Sequence, residues 1–213
     1  MADRLGLHGE PMVGNSPHLD EGALAGWREL VSRSSVYLEY GSGGSTVEAA
    51  KSVDHLISVE SDPRYLAAVE RRVASAAGAT ATFHPLHADI GITTAWGRPL
   101  VERKSAARLG RWRRYSEAPW PLFERLGLVP DFIFVDGRFR VACVFESFLR
   151  LPADAECRFM LDDYEPRKDE YGAILAFAAE VKAAGRALTF RRAADFDREG
   201  CARLLRHFQA DPR

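Results

Sequence analysis

The chain has 213 residues, 46% of them hydrophobic and 28% charged, with a formal net charge of −1, the profile of one globular domain carrying at most an insertion. Such a balance excludes a global field drawing the protein to nucleic acid or an anionic membrane, and no apolar run is long enough to span a bilayer. Residues 1–22 lack the apolar centre of a secretory signal, and the odd set Cys143, Cys157 and Cys201 contains no C-x-x-C, which speaks against a disulfide framework or zinc knuckle. The cysteines read as small buried hydrophobes. The expectation is a cytoplasmic protein with a small-molecule partner; nothing in the sequence marks an oligomeric state.

Residues 1–18, polar and rich in Gly and Pro, are expected to be loosely ordered. A helix is expected over 19–32, where Leu24, Trp27, Leu30 and Val31 form an apolar stripe. A strand over 36–40 enters a Gly-rich turn, and a helix over 45–52 starts near Ser45 or Thr46. The second strand is read at 55–60. Asp62 caps a helix with Pro63 in its first turn, running to about 76. Strands follow at 80–86 and 131–136, a helix at 140–151, a strand at 157–161, a helix at 169–184, a sixth strand at 187–191 and a last helix at 198–208.

This alternation predicts a doubly wound α/β fold, a mostly parallel sheet with helices on both faces. Residues 91–128 break the rhythm between the third and fourth strands. They are too many for a plain crossover, and read as an insertion that forms a lid over the site.

Ligands of such sheets bind at the carboxyl ends of the strands. The first strand ends in Glu39-Tyr40-Gly41-Ser42-Gly43-Gly44-Ser45-Thr46, where glycines permit a tight turn and close approach of a ligand to the backbone. Glu60 ends the second strand, 19 residues after Gly41, where a carboxylate can accept hydrogen bonds from both ribose hydroxyls. A dinucleotide fingerprint beginning at Gly41 would need glycine where Thr46 stands. Glu39 is also unfavourable beside a pyrophosphate but favourable beside a cationic ligand.

The stretch Leu38 to Thr46 resembles motif I of class I S-adenosylmethionine-dependent methyltransferases, E-x-G-x-G-x-G, with Ser45 at the third glycine. Val59-Glu60-Ser61-Asp62-Pro63 resembles the ribose-binding end of their second strand. Ala88-Asp89-Ile90 resembles the segment whose carboxylate faces the adenine amino group, and residues 131–137 and 159–164 resemble their fourth and fifth strands. The resemblance covers about residues 36–191. It implies S-adenosylmethionine as cofactor, held by Glu39, Tyr40, Gly41, Ser42, Gly43, Glu60, Ser61, Asp89 and Ile90, and methyl transfer to a small or medium anionic acceptor.

On the acceptor side, Asp136 after the fourth strand and Asp162 and Asp163 after the fifth can converge. Asp136 and Asp163 are the candidate catalytic carboxylates. Together with Asp162 they form a candidate divalent-metal set, in partial similarity to catechol-type O-methyltransferases. Equally, they can cap helices and pair with Arg138, Arg140 or Arg167. Arg111, Arg113 and Arg114 in the insertion, interleaved with aromatics, are candidate acceptor-binding cations. A non-catalytic nucleotide- or partner-binding protein and an aminopropyltransferase-like enzyme are the rival readings.

Overall fold

In the computed structural model of the chain, which describes residues 11–213, the first helix is α1, Glu21–Val31. Asp20 caps it by accepting from the Gly22 and Ala23 amides at 3.0 and 3.1 Å, and it buries Ala23, Trp27 and Val31. Of the 1–18 segment, residues 1–10 lie outside the described residues, and residues 11–20 carry neither helix nor strand.

The alternation then proceeds through β1 Val36–Tyr40, α2 Gly44–Ala49, β2 His55–Glu60, α3 Pro63–Ala74 and β3 Thr82–His87. After the insertion come β4 Phe132–Val135, α4 Arg140–Arg150 and β5 Arg158–Leu161, and the chain closes on α5 Arg198–Phe208. Seven strands form one sheet, in the order β3, β2, β1, β4, β5, then two strands of a hairpin between β5 and α5. The pairs β1–β2, β2–β3, β1–β4 and β4–β5 are parallel. Every central strand is buried on both faces, as the continuous apolar runs require. Tyr37, Leu56, Phe132 and Phe134 pack with Trp27, Val47 and Val69 on one face. Leu38, Ile57, Val135 and Phe159 pack with Phe145, Phe148 and Cys201 on the other.

The helix expected over 169–184 is not formed. The segment holds one α-turn at Lys168–Tyr171, a 3-10 helix at Gly172–Phe177 and the strand β6, Ala178–Ala184. Its Ala, Glu and Lys content favours a helix locally. Its buried residues Tyr171, Ile174 and Phe177 are instead spaced by three, the period of a 3-10 helix. Beyond Phe177 the chain pairs antiparallel with β7, Ala187–Arg192, and β7 pairs antiparallel with β5. Gly185, at φ +57°, makes the two-residue turn between them. Asp20 accepts from the Arg186 amide at 3.0 Å, so the residue that caps α1 also fixes this hairpin.

The insertion has two parts. Its helices, α6 Ala106–Glu117 and α7 Trp120–Leu126, bury Trp112, Tyr115, Trp120 and Phe123 in the same core as α4. They form a wall of the domain. Residues 91–105 carry only a 3-10 turn, Ala95–Gly97, and a bridge between Thr93 and Pro99.

Candidate active site

The carboxyl ends of β1, β2, β4 and β5 lie on one edge of the sheet because the four strands are parallel and adjacent. The turn after β1 is held against the turn after β4. Gly41 has φ +102°, and a Cβ there would lie 2.7 Å from Gly137 Cα and N. Any side chain at Gly41 would both strain the backbone and push these two turns apart. Ser42 Oγ bonds Ser58 Oγ at 2.7 Å, and the Gly43 amide donates to Thr46 Oγ1 at 2.8 Å. Tyr40 reaches away from the turn, its hydroxyl donating to the Ser116 carbonyl at 2.9 Å; only its backbone is available at the site.

Glu39 is fully buried. Its carboxylate accepts from Ser45 Oγ, from Thr46 Oγ1 at 2.6 Å and from Ser58 Oγ at 3.0 Å. Burial pushes its pKa up to about 7, against the lowering effect of those three hydroxyls. The serine that replaces the third motif glycine therefore has a use: it helps solvate Glu39. This carboxylate supports the turn from beneath α2, and any cationic ligand would feel it as a field rather than as a direct contact.

Glu60 Oε1 accepts from the Ser61 amide at 2.6 Å, the Asp62 amide at 2.9 Å and Ser61 Oγ at 3.1 Å. All three bonds go to one oxygen, leaving Oε2 to a ligand. Burial raises its pKa while the amides oppose the rise. Asp89, after β3, is exposed and accepts from the Gly91 amide at 2.9 Å, while Ile90 is buried. Gly97 of the 91–105 strap sits against this edge, where a Cβ would lie 2.6 Å from Ser61 Oγ and 3.5 Å from Glu60 Oε1.

Asp136, Asp162 and Asp163 do converge, with ligand atoms within 4.8 Å of one another. Asp163 has φ +57°, a strained conformation for a non-glycine residue and a frequent mark of functional turns. The cluster is already neutralised. The buried guanidinium of Arg140 lies 2.9 Å from Asp136, 3.4 Å from Asp163 and 4.0 Å from Asp162. It also donates to the carbonyls of Gly137 and Asp162 at 3.1 and 2.7 Å. Arg167 lies 3.7 Å from Asp163, and Arg186 lies 3.1 Å from Asp163 and 3.5 Å from Asp162. A divalent cation would have to displace a buried guanidinium, so the donor set does not fit one. Of the arginines the sequence offered, Arg140 and Arg167 join the cluster and Arg138 does not; Arg186, brought in by the hairpin, was not legible.

A cavity of about 350 Å³ opens beside this cluster, lined by Arg98, Arg138 and Arg167 together with Glu102, Glu170 and residues 211–213. Arg111, Arg113 and Arg114 do not line it and are exposed on α6.

A methyltransferase-like protein from Silicibacter pomeroyi has a structure similar to this one, with a TM-score of 0.79 at 27% identity over 94% of this chain and 100% of that one. The chain has the class I methyltransferase fold. The N-methyltransferase NodS from Bradyrhizobium japonicum, in complex with S-adenosyl-L-homocysteine, aligns at TM-score 0.47 and 14% identity over 89% of this chain and 95% of that one. No family model and no curated protein matches the sequence. Among the described residues, no helix is long and apolar enough to cross a membrane.

Proposed function

We propose that this protein is an S-adenosylmethionine-dependent methyltransferase, cytoplasmic, acting on a small anionic acceptor. The observation that carries the reading is the Gly41–Gly137 contact with Glu60 beside it. Only glycine fits at the first turn, and the second strand ends in a carboxylate with one oxygen ordered by amides and the other open to a ribose. Gly41, Ser42 and Gly43 would hold the amino-acid part of the cofactor through their backbone, Glu60 the ribose, and Asp89 and Ile90 the adenine. The bound cofactor supplies an electrophilic methyl group. The chain's contribution is to align the acceptor with it and exclude water, which suffices for an in-line displacement without a dedicated nucleophile. The crowded carboxylates and their arginines fit that division of labour: they brace the turns after β4 and β5 beside the cavity, and Arg167 reaches from them into its lining.

Calorimetry tests this. The protein should bind S-adenosylhomocysteine and not NAD, since Thr46 occupies the position where a dinucleotide turn demands glycine. Glu60→Ala should weaken S-adenosylhomocysteine by about 1.5–3 kcal/mol, the range for hydrogen bonds to a charged group. Micromolar NAD binding with no response to S-adenosylhomocysteine would sink the reading, as would full affinity in the Glu60 variant.

A further inference from the structure

The cavity beside Arg140 holds one arginine whose setting methyl transfer alone does not explain. Its lining arginines are Arg98, Arg138, Arg167 and Arg213, and its side-chain carboxylates are Glu102, Glu170 and Asp211. Three of these arginines have partners. Arg98 lies 2.6 Å from Glu102. Arg213 lies 2.6 Å from Asp211 and 3.2 Å from Glu170. Arg167 lies 3.7 Å from Asp163 and donates to the Tyr171 hydroxyl at 2.8 Å. Among the described residues no carboxylate pairs with Arg138, and its Nε is buried without a hydrogen-bond partner. Arg138 is half-buried, and a guanidinium with a buried, unbonded Nε gains when an anion reaches it. Burial, with Arg140 and Arg167 nearby, lowers its pKa in the same sense.

We propose that Arg138 anchors the carboxylate of a small monocarboxylate acceptor in this cavity. The planar guanidinium matches a carboxylate bidentately, and Arg138 is the lining arginine that no carboxylate among the described residues pairs. A cavity of about 350 Å³ suits a small molecule. The position also fits. Arg138 directly follows Gly137, whose backbone meets Gly41. Its Cγ lies 3.8 Å from the point where a Gly97 Cβ would sit, and that point also meets Ser61 and Glu60. A ligand held by Arg138 is therefore next to the cofactor turn. The proposal depends on the methyltransferase reading only in calling that ligand the acceptor.

The test titrates benzoate, hexanoate and inorganic phosphate into isotope-labelled protein, with and without S-adenosylhomocysteine, and follows amide chemical shifts. Wild type, Arg138→Gln, Arg138→Lys and the exposed control Arg113→Gln are compared. Saturable carboxylate binding is expected in wild type and Arg113→Gln, weakened about tenfold or more in Arg138→Gln, the loss expected for one charge-assisted pair. Arg138→Lys, which keeps the charge but not the fork, should fall between, and it serves alone if the Gln variant does not fold. Equal affinity in wild type and Arg138 variants, phosphate binding tighter than either carboxylate, or no saturable carboxylate binding while S-adenosylhomocysteine binds would overturn the anchor. Carboxylate binding that depends on Arg138, in a protein that does not bind S-adenosylhomocysteine, would uphold the anchor and overturn the methyltransferase reading.

Discussion

Burying a carboxylate among hydroxyls, rather than beside a cation, leaves its ionisation uncompensated, and Glu39 is held in that way by Ser45, Thr46 and Ser58. The consequence for stability has a definite sign. Glu39 has a folded pKa of about 7 against an ordinary 4.5, so the unfolded chain ionises first as pH rises. Stability attributable to this group is intact below about 4.5 and is lost progressively up to about 7, by about 3 kcal/mol at 1.36 kcal/mol per pK unit. Glu39→Gln removes the ionisation, and the surrounding hydroxyls can rotate to accept from its amide. Urea unfolding at pH 5 and pH 8 should therefore show the variant gaining on wild type by about 2–3 kcal/mol at the higher pH. Parallel pH profiles for the two proteins would mean that Glu39 is not the titrating group. The glutamate itself was legible in the sequence as a motif position. Its orientation was not, because the two serines and the threonine that turn it inward, Ser45 and Thr46 on α2 and Ser58 on β2, are not marked by pattern, which does not say which hydroxyls a carboxylate finds.

Among the elements, those with strong local punctuation were read almost to the residue. β1, β2 and α5 match, and Asp62 with Pro63 marks the start of α3, because cap, proline and apolar period agree there. The failure at 169–184 has the opposite cause. Ala178, Ala179, Ala183 and Ala184 carry no face of their own, so the ladder to β7 decides their conformation. The register of that ladder depends on Gly185 and on Asp20, a contact between residues 165 positions apart that no local window contains. Gly185→Ala tests the point. It puts a Cβ on a residue at φ +57° and into the Asp20 carboxylate and the Ala23 amide, which disturbs both the hairpin and the α1 cap. A loss of about 2 kcal/mol or more in chemical unfolding is expected. A loss below about 0.5 kcal/mol, the size of an ordinary surface change, would show that the hairpin register is set elsewhere. The insertion divides by the same logic. Trp112, Tyr115 and Trp120 declare a core-facing stripe that the sequence reading folded into a lid, and the buried aromatics make α6 and α7 part of the wall.

At the scale of the whole molecule, the strap 91–105 holds the conspicuous surface anomaly. Ile92, Trp96, Leu100 and Val101 are 76%, 63%, 56% and 49% exposed, while Gly97 between them is pressed against Ser61 beside Glu60. The strap keeps these apolar side chains exposed and meets the edge through the long bond from Ser61 Oγ to the Gly97 carbonyl at 3.4 Å, and an exposed segment tied by a weak bond is the kind that opens locally. Under the proposed function it must shift to admit the cofactor and then close on both ligands, excluding water from the transfer. Trp96 reports this directly. Trp27, Trp112 and Trp120 are at most 4% exposed, so acrylamide, a neutral quencher that the arginine cavity does not concentrate, should act mainly on Trp96. Trp96→Phe should remove most of the quenchable emission and establish the assignment. Adding S-adenosylhomocysteine to wild type should then change the quenching constant. Adding a monocarboxylate as well should lower it further, as Ile92, Trp96, Leu100 and Val101 fold over the filled pocket. The helices α6 and α7 should not respond, because their aromatics are already buried in the domain core. Ligand binding proved by calorimetry, with Trp96 quenching unchanged throughout, would make the strap a fixed rim and move the opening to another part of the edge, the 11–20 segment that packs Ser16 against Gly44.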